Sequence, residues 1–431
     1  MTHATHAPAD LGWKPHWLTQ RDGRGGWTML PAQCRFVHFT DALSERIRAL
    51  SDRTADEVAE ALGMAPDQVK KHTRTRMQYY QRDFRNFCPF GIAQMDNGEL
   101  ILAGVLDQSR SREKTAIAFS PDGGETWSDL QRIGRSIYGR PMGLTSLGGG
   151  ELIFSAEAGT GGGKPVRFFS KDYGRTWRER HPLPVSSMGR RINTEGNYLV
   201  DRDRSGRAVR IAAFGWMGPK DYKHPVDAAV GGFHWSSDGG RTWSEEICPT
   251  EWTWEAVFEG RTYQRGVSEG SLVRAANGWI VAALRTDMEA RHMRFHNDNL
   301  EGIGISISKD DGRTWSPVRV LFPAGKMHAH LLALPDGTLV MTYIARQDVV
   351  DGRLASYTRG CGAVISRDNG LTWNLEHEIM LDRFELADGS PHTLACGHLC
   401  STLLADGSII TSYGHYPSKG GCLVKWRPAP Q

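Results

Sequence analysis

The sequence predicts an all-β protein, a six-bladed β-propeller with a small helical insertion near the N-terminus. Three observations lead to this prediction: 49 glycines in 431 residues, a turn motif that occurs five times, and a strand–turn–strand pattern that occurs six times. Frequent glycine suits tight turns between short strands, and repetition along the chain indicates a repeat architecture. A chain of 431 residues could hold two or three domains, but closed β architectures also reach this size as one unit.

The turn motif has the pattern Ser-x-Asp-x-Gly-x-Thr-Trp. Its Asp side chain can accept backbone N–H groups within the turn, its Gly supplies a positive φ, and its Trp begins the outgoing strand with a large apolar anchor. The motif therefore predicts a hairpin turn that its own side chains clamp. The five copies are Ser120–Trp127, Ser170–Trp177, Ser236–Trp243, Ser308–Trp315 and Ser366–Trp373.

This motif resembles the Asp box (BNR repeat) of the sialidase, or neuraminidase, superfamily. The resemblance covers residues 84–428 and implies a propeller that acts on carbohydrate. The copies are unevenly spaced, which suits propeller blades with loops of variable length better than a strict solenoid.

The strand–turn–strand pattern sets the number of blades, because each predicted hairpin supplies the first two strands of one blade. After the sixth hairpin only one further strand follows, so residues 25–37 are the predicted donor of the outer strand that closes the last blade. The predicted divisions are residues 1–40 for the segment with that strand, 41–83 for the helical insertion and 84–431 for the propeller. The hairpins centre on Gly98, Gly150, Gly206, Gly278, Gly337 and Gly407.

In the insertion, Thr54 and Glu57 form a predicted capping box, Gly63 ends the helix and Pro66 begins another. The segment also resembles a DNA-binding helix-turn-helix. It is short, however, and the net charge of the chain is only +3, with acidic and basic residues evenly mixed. We therefore expect it to pack on the propeller or to form a contact in a homo-oligomer, with neither nucleic acid nor membrane as a partner. The lack of a visible signal peptide and the odd number of cysteines predict a reduced, cytoplasmic protein.

The innermost strand of each predicted blade begins near the central axis, so its first residues should converge on one funnel. The residues that end its hairpin partner lie at the same end and form a second ring. The second ring comprises Asp107, Glu157, Trp216, Arg285, Arg346, Tyr413 and His415. The first ring lies nine residues before each turn glycine and comprises Pro89, Pro141, Asn197, Glu269, His328 and His398.

The resemblance to sialidases is strongest in the fourth blade. There it implies that Glu269 activates a nucleophile and that Arg285 binds a substrate carboxylate. An Arg suits that task because its planar fork can donate two parallel hydrogen bonds while it stays charged. Arg85 and Arg140 are candidates for the first carboxylate-binding Arg of the family, and Arg346 is a further substrate-binding candidate.

The sixth blade departs from the family pattern. Sialidases have a Tyr nucleophile where this chain has His398. Tyr413, at the end of the same hairpin, is an alternative nucleophile, and Asp107 is the candidate for the acid/base Asp of the family.

His328 and His398 share one ring position in adjacent blades, so they are candidates for a base and its partner. Two converging imidazoles could also bind a metal, and Cys396, His398 and Cys400 alternate along one strand. No second Cys or His pair has the spacing of a zinc site, so we predict neither a metal nor a cofactor.

Three classes of function remain open. The first is an exo-acting, sialidase-like glycoside hydrolase on a sugar that carries a carboxylate. The second is a uronate-directed glycosidase or polysaccharide lyase that uses His as its base. The third is a non-catalytic propeller that binds a glycan, because propellers host unrelated functions.

Overall fold

The computed structural model is an all-β protein with seven antiparallel sheets. Its strands and turns place the residues that carry the candidate site. The structure describes residues 9–10, 14–21, 27–38, 55–63, 65, 87–106, 114–128, 130–133, 141–156, 166–189, 192–194, 197–218, 228–291, 300–350, 353–356, 358–385, 398–415 and 420–427.

In the described part of the chain, three strands and one short helix precede the first separate sheet. Helix α1 ends just before Gly63, whose φ of 62° is the left-handed conformation expected of a residue that ends a helix. Among the described residues, none of the helical segments has the length and hydropathy that crossing a bilayer requires. These elements are β1 (Ala9–Asp10), β2 (Lys14–Arg21), β3 (Trp27–His38) and α1 (Ala55–Leu62).

Three sheets then follow one another along the chain. In each of them the strands pair antiparallel in chain order. The first sheet comprises β4 (Phe87–Gln94), β5 (Leu100–Leu106), β6 (Lys114–Ser120) and β7 (Gln131–Arg132). The second comprises β8 (Pro141–Gly148), β9 (Glu151–Ala156), β10 (Val166–Ser170) and β11 (Glu179–Pro182). The third comprises β12 (Leu199–Arg202), β13 (Ala208–Met217) and β14 (Val230–Ser236).

A two-stranded hairpin leads into the next sheet, which has four strands in chain order. The hairpin comprises β15 (Trp254–Phe258) and β16 (Arg261–Arg265). The sheet comprises β17 (Val267–Arg274), β18 (Ile280–Thr286), β19 (Gly302–Ser308) and β20 (Arg319–Phe322). Every residue of β18 is buried, which requires that both faces of this sheet are covered by neighbours.

The remaining strands form a ten-stranded sheet and a separate two-stranded one. In the large sheet the order is β21-β22-β25-β26-β2-β3-β29-β28-β27, with β1 on β3, so the N-terminal strands join two groups of C-terminal strands. Strand β3 pairs with β29, with Val37 opposite Leu423. The strands are β21 (Lys326–Ala333), β22 (Leu339–Ala345), β23 (Asp348–Val350), β24 (Arg353–Ser356), β25 (Thr358–Ser366), β26 (Ile379–Glu385), β27 (Leu399–Leu403), β28 (Ile409–His415) and β29 (Gly420–Trp426).

The five Ser-x-Asp-x-Gly-x-Thr-Trp turns have the same hydrogen bonds. In the first, Asp122 accepts the backbone N–H of Thr126 at 2.8 Å, and the Ser120 hydroxyl accepts the N–H of Gly124 at 2.8 Å. The indole N–H of Trp127 donates to the Gly124 carbonyl at 3.2 Å. The other four copies repeat these bonds, so the predicted clamp within the turn is confirmed.

The glycine of each such turn packs against the preceding group of strands. Its φ is left-handed, and a Cβ at that position would press into an apolar side chain, so only glycine permits the close approach. The turn of the first sheet packs on β28, from the C-terminal end of the chain. The contacted side chains are Ile410 for Gly124, Ile101 for Gly174, Ile153 for Gly240, Phe233 for Gly312 and Val281 for Gly370.

Six strands, here named the inner strands, lie side by side: β4, β8, β12, β17, β21 and β27. Side chains on one inner strand accept backbone N–H groups of a neighbour, and β27 contacts β4, so the last strand group meets the first. The bonds join the N–H groups of Gln94, Tyr198, Leu331 and Ser401 to Thr402 Oγ1, Thr145 Oγ1, Ser271 Oγ and His330 Nδ1, respectively.

Candidate functional site

A recess lies where five of the inner strands begin. The clamped turns lie at the opposite end of these strands, because each turn follows the third strand of an antiparallel sheet. One half of the lining is apolar, and the other half carries a carboxylate and imidazoles. The lining residues are Phe90, Met142, Gly143, Glu269, Gly270, His328, Ala329, His330, His398 and Leu399.

Three lining residues have an unusual backbone. Glu269, His328 and His398 have φ values of 29°, 51° and 45°, a region that only a few per cent of non-glycine residues adopt. The ladders of β17 and β21 are irregular at Glu269 and His328, as in a β-bulge, which re-aims a side chain. Backbone strain of this kind persists where the surrounding structure imposes it and is concentrated at functional sites.

Bulges also explain a difference from the predicted ring in the first two sheets. Counting back from the turn glycine predicts Pro89 and Pro141, but the residues that line the recess there are Phe90 and Gly143, with Met142. The register of β4 shifts after Pro89 and that of β8 shifts after Met142, so the residue that faces the recess lies one or two positions later.

Glu269 is the carboxylate of the recess, and its Oε2 atom has two partners. Arg285 Nη1 donates to it at 2.6 Å and His328 Nδ1 lies 2.9 Å away. Burial opposes ionisation, but the charge of Arg285 and the contacts with His328 outweigh it and hold the pKa of Glu269 well below its usual value. Glu269 is therefore an anion at neutral pH, and no described residue hydrogen-bonds its Oε1 atom.

Arg285 joins Glu269 to a second carboxylate, Glu301. Its Nε donates to Glu301, while only 8% of the Arg285 side chain is exposed. Sequence reasoning missed Glu301, because only the pairing of Gly302 with Thr286 in the structure places the residue before β19 beside the end of β18. The guanidinium is thus compensated by two acids of the protein itself.

His328 is buried between charged groups. Its Nε2 lies 3.1 Å from Arg346 Nη2, while its Nδ1 faces Glu269. Burial lowers the pKa of His328, the Glu269 carboxylate raises it, and the cations Arg346 and Arg285 lower it further. The net direction is downward, so this imidazole is neutral at pH 7.

His398 is half-buried and lies between an imidazole and an aromatic ring. Its ring centroid is 4.9 Å from that of His328 and 4.1 Å from that of Phe90. His330 also reaches the recess, but its Nδ1 accepts the Ser401 N–H at 3.3 Å and burial lowers its pKa to about 4. Of the three imidazoles described in the recess, His398 is the most exposed.

Tyr413 is fully buried and does not belong to the described lining of the recess. Its hydroxyl donates to Asp382 at 2.8 Å. The predicted Asp107, Arg85 and Arg140 lie outside the described residues.

The inner strands meet deeper than the recess. Cys400 Sγ lies 3.5 Å from both the Ile92 backbone nitrogen and Asn197 Oδ1, and Asn197 Oδ1 accepts the Leu144 N–H at 2.9 Å. Burial raises the pKa of the Cys400 thiol to about 11. The described residues contain no group of three His, Cys, Asp or Glu side chains arranged to hold a metal ion.

Comparison with known proteins finds similarity in structure. No protein-family model matches the sequence, and no curated protein matches it. A protein of unknown function from Dyadobacter fermentans is 19% identical, with a TM-score of 0.55, over 80% of this chain and 95% of its own.

Two glycan-acting proteins are similar at the same level. The Hadza microbial sialidase Hz136 is 16% identical, with a TM-score of 0.50, and covers 80% of this chain and 65% of its own. The α-L-arabinanase of Penicillium chrysogenum, solved with arabinobiose, is 12% identical, with a TM-score of 0.51, over 80% and 94%. At identities this low, the structural similarity shows only that this chain shares an all-β fold with a sialidase and an arabinanase.

Proposed function

We propose that this chain is a glycoside hydrolase that cleaves its substrate in the recess around Glu269, His328 and His398. One observation carries the proposal: a residue near the start of each of three successive inner strands has a left-handed φ, and these three side chains line one recess. Strain at three equivalent positions is costly, at about 1–3 kcal/mol each, and is typical of sites that the fold maintains for a function.

We propose that the scaffold is a six-bladed propeller of the Asp-box type. Six inner strands with neighbour contacts, and a first clamped turn that packs on β28, support a ring of six blades. A ring without free edges holds the starts of its inner strands at fixed distances, which a catalytic site requires.

Glu269 supplies a fixed negative charge. Glycosidic cleavage develops positive charge on the sugar ring, and a buried anion beside it stabilises that charge. Because its pKa is low, Glu269 remains ionised and cannot donate the proton that the leaving oxygen needs. We assign proton transfer to His398 or to the predicted acid/base Asp107.

The nature of the sugar depends on the arginines. The predicted carboxylate binders Arg285 and Arg346 contact Glu269, Glu301 and His328. Recognition of a sugar carboxylate therefore depends mainly on the predicted Arg85 and Arg140. Tyr413, buried against Asp382, would need to reorient to act as a nucleophile.

The position of His398 favours elimination on a uronate as a second candidate function. A half-buried imidazole beside the Glu269–His328 pair suits removal of the proton α to a carboxylate. The bond between the β-carbon and the linking oxygen then breaks, a carbon–carbon double bond forms, and the departing oxygen takes up a proton. The unsaturated product would absorb ultraviolet light, whereas the hydrolysis product would not.

The test is turnover of sialosides, uronides and arabinosides by the wild type, Glu269→Gln and His398→Ala. His181→Ala removes an imidazole from strand β11 and is the matched control. We expect Glu269→Gln and His398→Ala to reduce kcat/KM by roughly 100-fold or more, and the control to leave it unchanged. Unchanged turnover in Glu269→Gln would contradict the proposal, and binding without turnover on any substrate would instead indicate a glycan-binding protein.

A further inference from the structure

The two ring nitrogens of His328 have partners of opposite character. Nδ1 lies 2.9 Å from a carboxylate oxygen of Glu269, and Nε2 lies 3.1 Å from Nη2 of Arg346. Only 8% of the His328 surface is exposed, so water has little access to the ring. Among the described residues, these two neighbours make the contacts with the ring nitrogens of His328.

Their chemistry permits one form of the ring. A guanidinium has only donors, so Nε2 must accept and cannot carry a proton. An ionised carboxylate has only acceptors, so Nδ1 must donate and must carry the proton. The neutral Nδ1–H tautomer of His328 is the form that satisfies both Arg346 and Glu269.

We propose that Arg346 is a positioning residue, which holds His328 in the neutral Nδ1–H tautomer so that Oε2 of Glu269 is occupied and Oε1 is presented to the ligand. Its position in the second ring made Arg346 a substrate-binding candidate, whereas its contact with His328 Nε2 points to support of Glu269. Arg285 holds the same Oε2 atom from the other side at 2.6 Å. Two donors on one oxygen fix the orientation of the carboxylate.

The charges around His328 show what Arg346 prevents. In the part of the chain that the structure describes, the charged and titratable groups around the ring include Glu269, Arg285, Arg346 and the imidazole of His398. Without Arg346, Nε2 would lose its donor and one of the two cations that oppose protonation would be gone. Loss of Arg346 would then raise the pKa of His328, which favours an imidazolium paired with Glu269 and weakens the negative charge of the recess.

The catalytic consequence rests on the proposed function. If Glu269 stabilises positive charge on a sugar ring, an imidazolium on the same oxygen opposes that charge. Loss of Arg346 should thus reduce kcat by roughly 10- to 100-fold, with a smaller effect on KM, because the lost interaction acts mainly in the transition state.

The first measurement is of the ring nitrogens themselves, by NMR of the full chain labelled with ¹⁵N-histidine. The signal of His328 is assigned by its loss in His328→Gln. In the wild type at neutral pH we expect Nε2 without a proton and Nδ1 with one. In Arg346→Met we expect both nitrogens to carry protons at pH 6, and in Arg346→Lys an intermediate shift.

Arg210→Met is the matched control, since Arg210 donates to Asp201 at 2.8 Å and Asp311 at 2.7 Å, on strands away from the recess. It should leave the His328 signals and turnover as in the wild type. The activity of Arg346→Met should fall as the pH drops through the raised pKa of His328, a limb that the wild-type profile lacks.

The results separate the two proposals. A wild-type His328 that carries a proton on Nε2 would overturn the role of Arg346, as would an Arg346→Met spectrum identical to the wild type. If Arg346→Met does not fold, the wild-type spectrum still decides. If no glycoside is cleaved, the proposed function fails, while the nitrogen shifts still establish or refute the positioning role.

Discussion

The left-handed backbone of His398 lowers the stability of the protein. We therefore predict that this residue is kept for its function. Replacement by glycine and by alanine both remove the imidazole, so the difference between the two variants reports on the backbone alone. At φ 45° the Cβ of alanine keeps the strain and glycine releases it. We therefore expect His398→Gly to be more stable than His398→Ala, the reverse of the usual order.

The magnitude follows from two opposing terms. Holding an L-residue in the left-handed region costs about 1–2 kcal/mol, and the extra freedom of glycine in the unfolded chain costs about 0.4–1 kcal/mol. The net gain for glycine over alanine at position 398 is about 1 kcal/mol. For a chain of this length that corresponds to about 1–2 °C in Tm, since the entropy of unfolding grows with size.

The assay is thermal unfolding at one scan rate, with His181 as the control position. His181 lies in strand β11 without a positive φ, so there glycine should be less stable than alanine by about 0.5–1 kcal/mol. The predicted result is a reversal of sign between the two positions. If alanine is the more stable variant at both, strain at His398 is not a real feature of the recess, and the main support for the proposed function is lost.

Two further predictions concern the clamped turns. Gly312→Ala should destabilise the protein by roughly 3 kcal/mol, because φ is 88° and the new Cβ would overlap the Phe233 ring. Gly407→Ala should cost about 1–2 kcal/mol, since nothing lies within 4 Å of its Cβ. The two losses of stability are compared from the denaturant midpoints of unfolding. Hydrogen bonds from Thr314 lower the pKa of Asp310 to about 2. The ionised carboxylate therefore stabilises the fold above pH 3.8, its ordinary pKa, and this stabilisation is lost as the pH falls through 2. Asp310→Asn should therefore be less stable than the wild type at pH 7 and should approach it near pH 2 in pH-dependent melts; a constant difference would show that the carboxylate charge is not involved.

Sequence counting located part of the recess because its landmarks are local. The hairpin turn at Gly278 is recognisable from a few residues, and nine positions earlier lies Glu269, which the structure places in the recess. The same count placed His328 and His398 there. The count gave Pro89 in place of Phe90, because a bulge adds a residue that no local sequence pattern indicates.

The groups that side chains contact were harder to predict from the sequence. Tyr413 lies at the end of the hairpin that follows His398, yet its hydroxyl reaches Asp382 on another strand. Glu301 could be placed beside Arg285 only once the pairing of β18 and β19 was known. A residue's position along a strand can be counted, but the group that it contacts depends on the adjacent strand.

By itself, the sequence determined the turns, because their hydrogen bonds join residues within four positions of each other, as Asp122 joins Thr126. It also determined the hairpin strands, because the same strand–turn–strand pattern recurs along the chain. Only the tertiary structure decided the chemistry of the recess. Glu269 is ionised, and His328 neutral, through contacts between separate strands and through burial that removes water. Electrostatic interactions strengthen when water is excluded, so these protonation states arise only after the strands have packed together.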